Sequence, residues 1–484
     1  MSDIKHIDGE MVGGMMTGIA PHRLSPNESP DSQNLDPANP LGAVTRLGSA
    51  IYGVTGPGAA SGYRGTGLFP WTRNAGSFGN FLCYGTTIYL VDSASWLSVK
   101  TGVTSGGMMQ GAALNNIGVI VAAGIGPQIS TTGTALATMA STGSGTYFAT
   151  LAKYVTTWQS KLWLTGNDNQ PNRCHFSKSG DPEDLNTVND AGYVDVDKDD
   201  GDIIYGFLGA KRILAVFKRR TTHIITGTKA SDYNATKLCG NGIVSEWAYA
   251  SDGTGVFWAS DDGIYYAQGA QVSRMSDANR EFYVNTITDK STISLEVKGE
   301  KLFVFYKVSG TENTGCLVLA YKRMVPNGRV QGVWSVYTAQ PYHVARLTRT
   351  NNLYALTNAS SAQIYELDVG TSGSVAAYWN SPDLDFEEIM KIKKLERFFL
   401  HVKPPNATTT FTIRVFADGA SVGSDYTVTV GTTGSHSFGL RFGQITSAPV
   451  GHTLRLKISW TGQATVYGYR VVADVKADSE PGRV

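Results

Sequence analysis

The residues in this chain whose types and spacing could do chemistry fall into two short charged stretches, one acidic and one basic. At the end of the acidic stretch stand Asp195, Asp197, Asp199, Asp200 and Asp202. The first three alternate as the leading ligands of a calcium-binding EF-hand loop do, but the sixth position holds Asp200 where that loop needs glycine. The twelfth position holds Gly206 where the loop needs a bidentate glutamate. The spacing therefore excludes an EF-hand, leaves a looser Ca²⁺ site open and favours a solvated acidic loop.

The same alternation has a second possible use. In an extended segment alternate side chains point the same way, so Asp195, Asp197 and Asp199 would share one direction. A symmetric ring of subunits would multiply them, together with Asp200 and Asp202, into a negative collar. If that collar lined the lumen of the ring, it would repel the phosphates of a nucleic acid passing through.

The basic stretch follows directly in the sequence. It consists of Lys211, Arg212, Lys218, Arg219 and Arg220. The triplet Lys218, Arg219 and Arg220 is a candidate for phosphate contact, and a hairpin with exposed charges is the ordinary alternative. No aromatic residue is interleaved with the triplet, so a platform that stacks single-stranded bases is not indicated.

Known catalytic and metal-binding motifs are missing from the sequence. The eight histidines have neither H-x-x-x-H nor H-E-x-x-H spacing, and there is no G-x-S-x-G elbow and no P-loop. The four cysteines lie far apart and form no C-x-x-C pair, which predicts free thiols rather than a zinc site. We therefore expect no catalytic residue, no cofactor, no metal and no enzymatic activity.

One segment resembles the turn motif of sialidase-type propellers. Residues 260–266 read S-D-D-G-I-Y-Y, which is one residue shorter than the motif S-x-D-x-G-x-x-aromatic, and the match occurs once. A β-turn is the favoured interpretation, and a sialidase-like glycosidase stays a lesser alternative.

The composition limits the class of protein that must carry these residues. Of 484 residues 55 are glycine and 23 tyrosine, 17% are charged, and the formal net charge is +1. A coiled coil would need far more Ala, Glu, Lys and Leu, and a disordered chain would lack the 42% of hydrophobic and 10% of aromatic residues found here. A general DNA binder would be basic. Abundant glycine and tyrosine indicate an all-β protein with many tight turns.

A phrase of two polar or small residues followed by an apolar strand start recurs between residues 46 and 375. Its first apolar residues stand at 117, 162, 213, 256, 302 and 353, which gives spacings of 45, 51, 43, 46 and 51. Strand-like repeats of this length predict the blades of a β-propeller. Six blades are favoured and seven are possible, with Thr87, Ile88 and Tyr89 in a strand pair that closes the ring.

The two ends of the chain have different patterns. Residues 1–45 are rich in proline and have little alternation, which predicts an extended arm that pins to a neighbour or to the outside of the fold, with a disordered tail as the alternative. Residues 376–484 contain longer alternating strands, such as those around Phe411 and Leu454, and predict an antiparallel β-sandwich. The sequence has no charged-then-apolar leader and no apolar run long enough to span a membrane, so folding in a reducing cytoplasm is expected.

Several phrases together resemble the tail propeller proteins of short-tailed bacteriophages. The likeness covers roughly residues 18–380 and depends on the order of the phrases rather than on a single motif. They are S-P-D-S-Q-N-L-D at 29–36, G-A-V-T-R-L-G at 42–48, and three blade-like segments at 158–186, 203–227 and 238–277.

This resemblance implies a structural virion protein, the tail nozzle or hub. Such a protein forms a homo-hexameric ring below the adaptor, or head–tail connector, extends the DNA channel, and retains or releases the genome. Its implied partners are its own copies, the adaptor, tail fibres or spikes, and genomic DNA that passes without sequence-specific binding. The chain lacks long insertions that could anchor fibres. A receptor- or glycan-binding tail propeller is the alternative, and both would place the chain in the virion after assembly in the host cytoplasm.

Overall fold

A computed structural model describes most of the chain. The described residues are 3–53, 56, 65–72, 78–92, 95–140, 152–308, 313–322, 332–347, 352–357, 363–370, 375–403, 407–432, 436–441 and 448–476. They form an all-β protein, as predicted, with three short 3₁₀ turns at Pro21–Arg23, Thr187–Asn189 and Asp277–Asn279 and one π turn at Phe282–Thr286.

Four short strands lie at the N-terminal end, and a series of four-stranded antiparallel units follows. The N-terminal strands are β1 (Asp3–Gly9), β2 (Ser32–Gln33), β3 (Ala43–Val44) and β4 (Gly48–Tyr52). Unit 1 contains β5 (Gly65–Thr72), β6 (Phe78–Tyr84), β7 (Thr87–Val91) and β8 (Trp96–Thr101). Unit 2 contains β9 (Met109–Leu114), β10 (Ile117–Ala122), β11 (Ile125–Ser130) and β12 (Ala137–Thr138).

The next three units repeat this arrangement, with strands paired in sequence order. Unit 3 contains β13 (Tyr154–Trp158), β14 (Lys161–Thr165), β15 (Arg173–Phe176) and β16 (Gly192–Asp195). Unit 4 contains β17 (Ile204–Gly209), β18 (Leu214–Lys218), β19 (Thr222–Thr226) and β20 (Asn234–Cys239). Unit 5 contains β21 (Tyr249–Ser251), β22 (Val256–Ser260), β23 (Gly263–Gln268) and β24 (Gln271–Arg274).

The last two units share one long strand. Unit 6 contains β25 (Ser294–Lys298), β26 (Lys301–Lys307), β27 (Asn313–Ala320) and the first half of β28 (Val333–Leu347). The second half of β28 begins unit 7, where it pairs with β29 (Leu353–Thr357), which is followed by β30 (Ile364–Val369). The fourth strand of unit 7 is β4 from the N-terminal end, which pairs antiparallel with β30.

These seven units form a closed ring. The first strand of each unit lies against the first strand of the next, from β5 through β9, β13, β17, β21 and β25 to β28, and β28 lies against β5 again. The ring is the predicted β-propeller, and the described residues trace one unit more than the six that the repeat favoured. It is closed by β4, which lies more than 300 residues away in sequence from β30.

The sequence repeat marked one particular strand of each unit. Its six positions fall at or beside the starts of the second strands of units 2 to 7. The repeat did not include unit 1, although its second strand, β6, contains the same phrase at Gly79, Asn80, Phe81 and Leu82. The segment at Thr87, assigned to a closing strand pair, is instead β7, the third strand of a complete unit.

Two packed sheets follow the ring and form the predicted sandwich. Their strands are β31 (Ala376–Asn380), β32 (Ile392–Lys403), β33 (Thr409–Ala417), β34 (Ala420–Val430), β35 (His436–Arg441), β36 (Val450–Gly451), β37 (Leu454–Thr461) and β38 (Thr465–Lys476). One sheet has the order β1–β38–β32–β35, with β3 on β38 and β36 on β32. The other has the order β31–β37–β33–β34, and the buried faces of both sheets form one hydrophobic core.

The N-terminal arm lies along its own chain and contacts both domains. Strands β1 and β3 extend the sandwich sheet that holds β38, and β2 lies between β28 of the propeller and β31 of the sandwich. Met11 and Leu35 lie in the sandwich core, whereas Met15 lies in the core around units 5 and 6. The arm therefore packs on its own chain, and it contributes side chains to the cores of both domains as well as strands to their sheets.

Candidate functional site

The acidic and basic stretches meet on one side of units 3 and 4. Asp195 ends β16, and its carboxylate accepts hydrogen bonds from Nε and Nη2 of Arg173 at 2.6 and 2.9 Å. The hydrogen bond from Arg173 holds the pKa of Asp195 below its usual range. The Arg173 guanidinium also lies 3.7 Å from the centroid of the Tyr193 ring, so this carboxylate belongs to a local cluster.

The expected row of aligned carboxylates is wrong. Strand β16 ends at Asp195, and the backbone takes positive φ at Asp197 (39°) and Asp199 (70°), so the chain turns where the prediction assumed an extended segment. The period of two that would align the three side chains is lost at these turns. Which face of an assembly this loop occupies stays a prediction.

Lys218, a residue of the basic stretch, contacts the acidic loop through its buried side chain. Its side chain is fully buried, and its ammonium group donates to the Asp197 carbonyl at 3.0 Å and to Oδ2 of Asp200 at 2.8 Å. Burial is the largest single influence on Asp200 and opposes its ionisation, but the hydrogen bonds from Lys218 and from the Asp202 N–H, together with the charge of Lys218, outweigh it and lower the pKa of that carboxyl. Lys218 therefore neutralises Asp200 and is not available for phosphate contact.

The two neighbouring arginines also have partners within the protein. Oδ2 of Asp202 accepts from the backbone N–H of Arg220 at 2.9 Å. The guanidinium of Arg219 donates to the carbonyls of Ile243 and Val244 at 3.0 and 2.6 Å. The ion pair of Lys218 and Asp200 thus connects the two stretches of opposite charge, whereas Asp199 and the Arg220 side chain stay exposed.

A different candidate site lies at the centre of the propeller. Residues 245–247 connect units 4 and 5, and they contact three units that are not adjacent to one another. Trp247 donates from Nε1 to the Thr66 carbonyl of unit 1 at 3.3 Å and accepts from the Leu295 N–H of unit 6 at 3.0 Å. Glu246 accepts from the Tyr154 hydroxyl of unit 3 at 2.9 Å. Only a segment that crosses the ring axis can reach units 1, 3 and 6, so it covers one end of the channel.

The pair formed by Glu246 and Tyr154 is electrostatically unusual. Burial raises the pKa of the Glu246 carboxyl, and the hydrogen bond from Tyr154 only partly offsets this. Burial and the adjacent carboxylate both raise the pKa of the Tyr154 phenol well above its usual value. The hydroxyl therefore stays protonated and donates, which fixes the covering segment to unit 3.

A cavity of about 290 Å³ lies in the channel. Its lining comes from the first strands of units 1 to 6 and includes Phe69, Gln110, Phe207, Tyr249 and Glu296. The Gln110 side chain is held at both ends, because its Nε2 donates to the Tyr249 hydroxyl and its Oε1 accepts from the Val155 N–H at 3.3 Å. The cavity is therefore a formed, partly aromatic pocket with a few fixed polar groups, which is the usual character of a small-ligand site.

Two glycines make room for the aromatic lining. A Cβ atom at Gly111 would lie 2.1 Å from the ring of Phe69, and one at Gly206 would lie 2.4 Å from the ring of Tyr249. Any larger residue at these positions would clash with the two rings. Glycine within these inner strands was the sequence signal that could have indicated the site, because strand interiors disfavour glycine unless a neighbour approaches closely.

The described residues give little geometric support for the sialidase-like glycosidase that the sequence left as an alternative. None of the described residues that line the cavity is arginine, which a sialidase needs in order to bind its substrate's carboxylate. Residues 260–263 form the predicted turn, in which Ser260 pairs with Gly263 and Asp262 accepts from the Tyr265 hydroxyl at 2.8 Å. Within the described ranges, no three His, Cys, Asp or Glu side chains group as metal ligands would.

The cysteines match the prediction of free thiols. Cys83, Cys174 and Cys316 are buried and Cys239 is half-buried, and none is joined in a disulfide. Burial raises the pKa of the Cys83 thiol to about 11, which keeps it protonated and unreactive at neutral pH.

No helix in the described part of the chain is long and apolar enough to cross a membrane.

No family model matches this chain, and no curated protein matches it. Among solved structures, it is similar to the extracellular domain of the hybrid two component system BT4673 from B. thetaiotaomicron, with 10% identity over 72% of this chain and 42% of the other and a TM-score of 0.44. The Neurospora crassa Pan2 WD40 domain has 8% identity over 68% of this chain and 96% of its own, with a TM-score of 0.42. An exo-β-1,3-galactanase from Phanerochaete chrysosporium has 10% identity over 69% and 99%, with a TM-score of 0.25.

This chain thus spans less than half the length of the first of these structures. Such low identities concern the fold and carry no conclusion about activity. The class that the chain itself defines is an all-β protein, in which an N-terminal arm connects a β-propeller to a β-sandwich.

Proposed function

We propose that this chain is a structural protein of a short-tailed bacteriophage virion, the tail nozzle or hub. The order of its sequence phrases supports this role. The structural observation that supports it best is the way in which the arm fastens the two domains together, because a ring subunit under load needs domains that do not move independently.

Polar contacts of Asn34 and Arg46, most of them partly buried, contribute to the connection between the domains. Asn34 takes a left-handed conformation (φ 59°), and its amide donates to Oγ1 of Thr338 at 3.0 Å and to the Ala376 carbonyl at 2.7 Å. Nε of Arg46 donates to Oδ1 of Asn34 at 2.9 Å, and its Nη2 donates to the Thr338 carbonyl at 2.9 Å. One arm residue thus bonds to the last shared strand of the propeller and to the first strand of the sandwich.

In the proposed nozzle, DNA passes between subunits and not through the propeller. The channel of each propeller is crossed by residues 245–247, and its cavity has a volume of about 290 Å³. A duplex, whose major groove alone is about 12 Å wide, is too large for it. The conduit is then the space enclosed by six copies, and contacts between copies are heterologous and close into a ring.

The net charge of +1 suits a surface that DNA touches without binding, because a strongly basic surface would bind phosphate and slow the ejected genome. Lys218 is buried against Asp200 and Arg173 is paired with Asp195. The exposed residues Lys211, Arg212, Arg219 and Arg220 would have to lie outside the DNA channel. From the resemblance of the sequence phrases we propose that the partners are the adaptor above the ring and fibres or spikes beside it, and from the missing catalytic motifs that the role is not enzymatic.

Electron microscopy of the purified protein tests the proposal. Two-dimensional classes of the full chain, alone and mixed with its adaptor, are expected to show a sixfold ring with an open centre. Mass photometry should give a species of six copies. Monomers in both preparations at micromolar concentration would contradict the proposed role.

A second candidate, a receptor- or glycan-binding propeller, is favoured by one observation. The channel cavity combines aromatic rings with fixed polar groups, as sugar-binding sites do. A glycan array probed with the full chain tests it, and binding that is lost in Phe69→Ala would support this candidate. An array without hits, together with a sixfold ring, would decide for the nozzle.

A further inference from the structure

We propose that the outer face of the sandwich sheet β1–β38–β32–β35 binds single-stranded nucleic acid without sequence preference. On this face, cations and one aromatic ring occupy alternate positions along a single strand. The inference does not rest on the proposed nozzle. In such a ring, a face that holds DNA would lie outside the channel through which the duplex passes.

Strand β32 carries the row of residues that suggests this ligand. Its outward residues alternate with side chains that lie in the sandwich core, and they are Arg397, Phe399, His401 and Lys403. Alternate residues of a strand are about 7 Å apart, which is comparable to the reach of one nucleotide in an extended strand. Proteins that hold single strands combine positive charge along the backbone with aromatic rings on which the bases stack.

A second arginine doubles the charge at one end of the row. Arg441 of β35 lies directly opposite Arg397 in the antiparallel pair, and both side chains are exposed. Neither arginine has a hydrogen bond or an ion pair with another described residue. Like charges directly opposite each other destabilise a sheet, so the pair costs stability in the free protein. A phosphate between the two guanidinium groups would relieve the repulsion, because arginine binds phosphate through paired hydrogen bonds.

The carboxylates on the same face have cations of their own. They form three ion pairs, Asp8 with Arg470 at 2.5 Å, Asp474 with Lys476 at 3.3 Å and Glu396 with Lys394 at 3.3 Å. Glu10 lies beside the face, one residue beyond the end of β1. The charges left over on the described face are those of Arg397, Arg441 and Lys403, so the face attracts anions.

The chain around the arginine pair adds no acidic residue. The segments that follow β32, precede β35 and follow β35 are residues 404–406, 433–435 and 442–447, and their sequences contain neither aspartate nor glutamate. The positive sign of this part of the face therefore does not depend on how those segments are arranged.

The ring of Phe399 is the surface on which a base can stack. It lies over Gly439 of β35, where a Cβ atom would be 2.9 Å from the ring, and it is partly exposed. No other aromatic ring and no cation among the described residues contacts it. The bases of a duplex are already stacked on each other, so only a single strand can offer a base to this ring. The ring therefore favours a single strand over a duplex, and over a polyanion that has no bases.

Fluorescence anisotropy of the full chain with labelled ligands tests the proposal. The probes are a twelve-nucleotide oligothymidine, its duplex with oligoadenine, an abasic strand with the same number of phosphates, and hyaluronate as an acidic polysaccharide. We expect the oligothymidine to bind about fivefold or more tightly than the abasic strand, because the bases add stacking to the phosphate contacts. It should also bind more tightly than the duplex and hyaluronate.

Variants link the binding to this face. Arg397→Gln should weaken oligothymidine binding by about tenfold and reduce the dependence of log K on log salt by about 0.7, the share of one phosphate contact. It relieves the like-charge pair, so its melting temperature should not fall. Phe399→Leu keeps the charges and should abolish the preference for oligothymidine over the abasic strand. Arg220→Gln is the matched control, because it removes an exposed arginine of the propeller and should leave the affinity unchanged.

The possible outcomes decide the proposal. A preference for the strand with bases that is lost in Phe399→Leu, with binding weakened in Arg397→Gln and kept in Arg220→Gln, supports it. Equal binding of all probes, tighter binding of hyaluronate, or an unchanged preference in Phe399→Leu overturns it. A loss in Arg220→Gln as large as that in Arg397→Gln overturns it as well, since the binding would then lie on the propeller. Failure of every probe to bind overturns it whether or not the protein forms a ring, so its failure is separate from that of the nozzle.

Discussion

The contact between Thr45 of the arm and the sandwich gives the most direct test of how the arm is held. Thr45 is 2% exposed, and its hydroxyl is at the centre of three hydrogen bonds. It accepts from Nε1 of Trp460 at 2.8 Å and from the N–H of Ala464 at 3.3 Å, and it donates to the carbonyl of Gly462 at 2.9 Å. Valine has nearly the same shape and makes none of these bonds.

The expected cost of Thr45→Val follows from those three bonds. A neutral hydrogen bond contributes about 1 kcal/mol, and a buried donor left without a partner costs about 1 to 3 kcal/mol. The Trp460 indole N–H would be left without its partner, so we expect a loss of about 2 to 4 kcal/mol in the free energy of unfolding. Thr45→Ser keeps the hydroxyl and loses one methyl group, which should cost about 1 kcal/mol.

Urea denaturation followed by far-ultraviolet circular dichroism measures both variants. Hydrogen exchange monitored by mass spectrometry should place the loss of protection in the peptide that contains β37 and β38 and in the arm. If Thr45→Val destabilises the protein no more than Thr45→Ser does, the hydrogen bonds do not hold the arm and the reasoning fails.

Three further predictions concern buried ionisable groups. Burial and the nearby Arg173 lower the pKa of His175 from 6.5 to about 3. Because His175 is then protonated in the unfolded chain but not in the folded one, the free energy of unfolding should fall by about 1.4 kcal/mol per pH unit between about pH 6.5 and about pH 3. Urea denaturation at several pH values should give a smaller dependence of stability on pH for His175→Gln, and an unchanged dependence would contradict the prediction. Lys218→Met should cost about 3 kcal/mol in urea denaturation because it leaves Asp200 unpaired, whereas the exposed Lys198→Met should cost nearly nothing, and equal effects would show that burial of the pair is unimportant. Burial raises the pKa of Glu246, so folding favours its protonated form and stability is lost as the pH rises through the folded-state pKa. Glu246→Gln should therefore stabilise the protein at pH 7, and this gain should disappear below about pH 4, where the glutamate is protonated in both states. Thermal melts that show destabilisation at both pH values would refute this prediction.

The all-β class, the propeller and the sandwich could be predicted because they depend on local patterns. Alternation such as that of Phe411, Ile413 and Val415 has to place one side of a strand in a core, and all three are buried. The repeat located the second strand of six units, because that strand lies between two others and must be apolar on both faces.

Closure of the ring could not be predicted in the same way. Strand β4 carries exposed residues and has no strong pattern, and it becomes the last strand of unit 7 only because β30 offers a free edge. Pairing between segments this far apart in sequence depends on how the first and last parts of the ring come together in space. A local sequence pattern contains no information about that contact.

The candidate sites also differ in how far the sequence alone could predict them. The sequence by itself located the charged residues, since composition and spacing are local properties. It could not tell that Lys218 turns inward to Asp200, because that depends on positive φ at Asp197 and Asp199 and on the meeting of two loops. The central cavity was decided by tertiary structure alone. Each inner strand contributes only one to three residues to it, and only closure of the ring brings Phe69, Tyr249 and Glu296 around one axis.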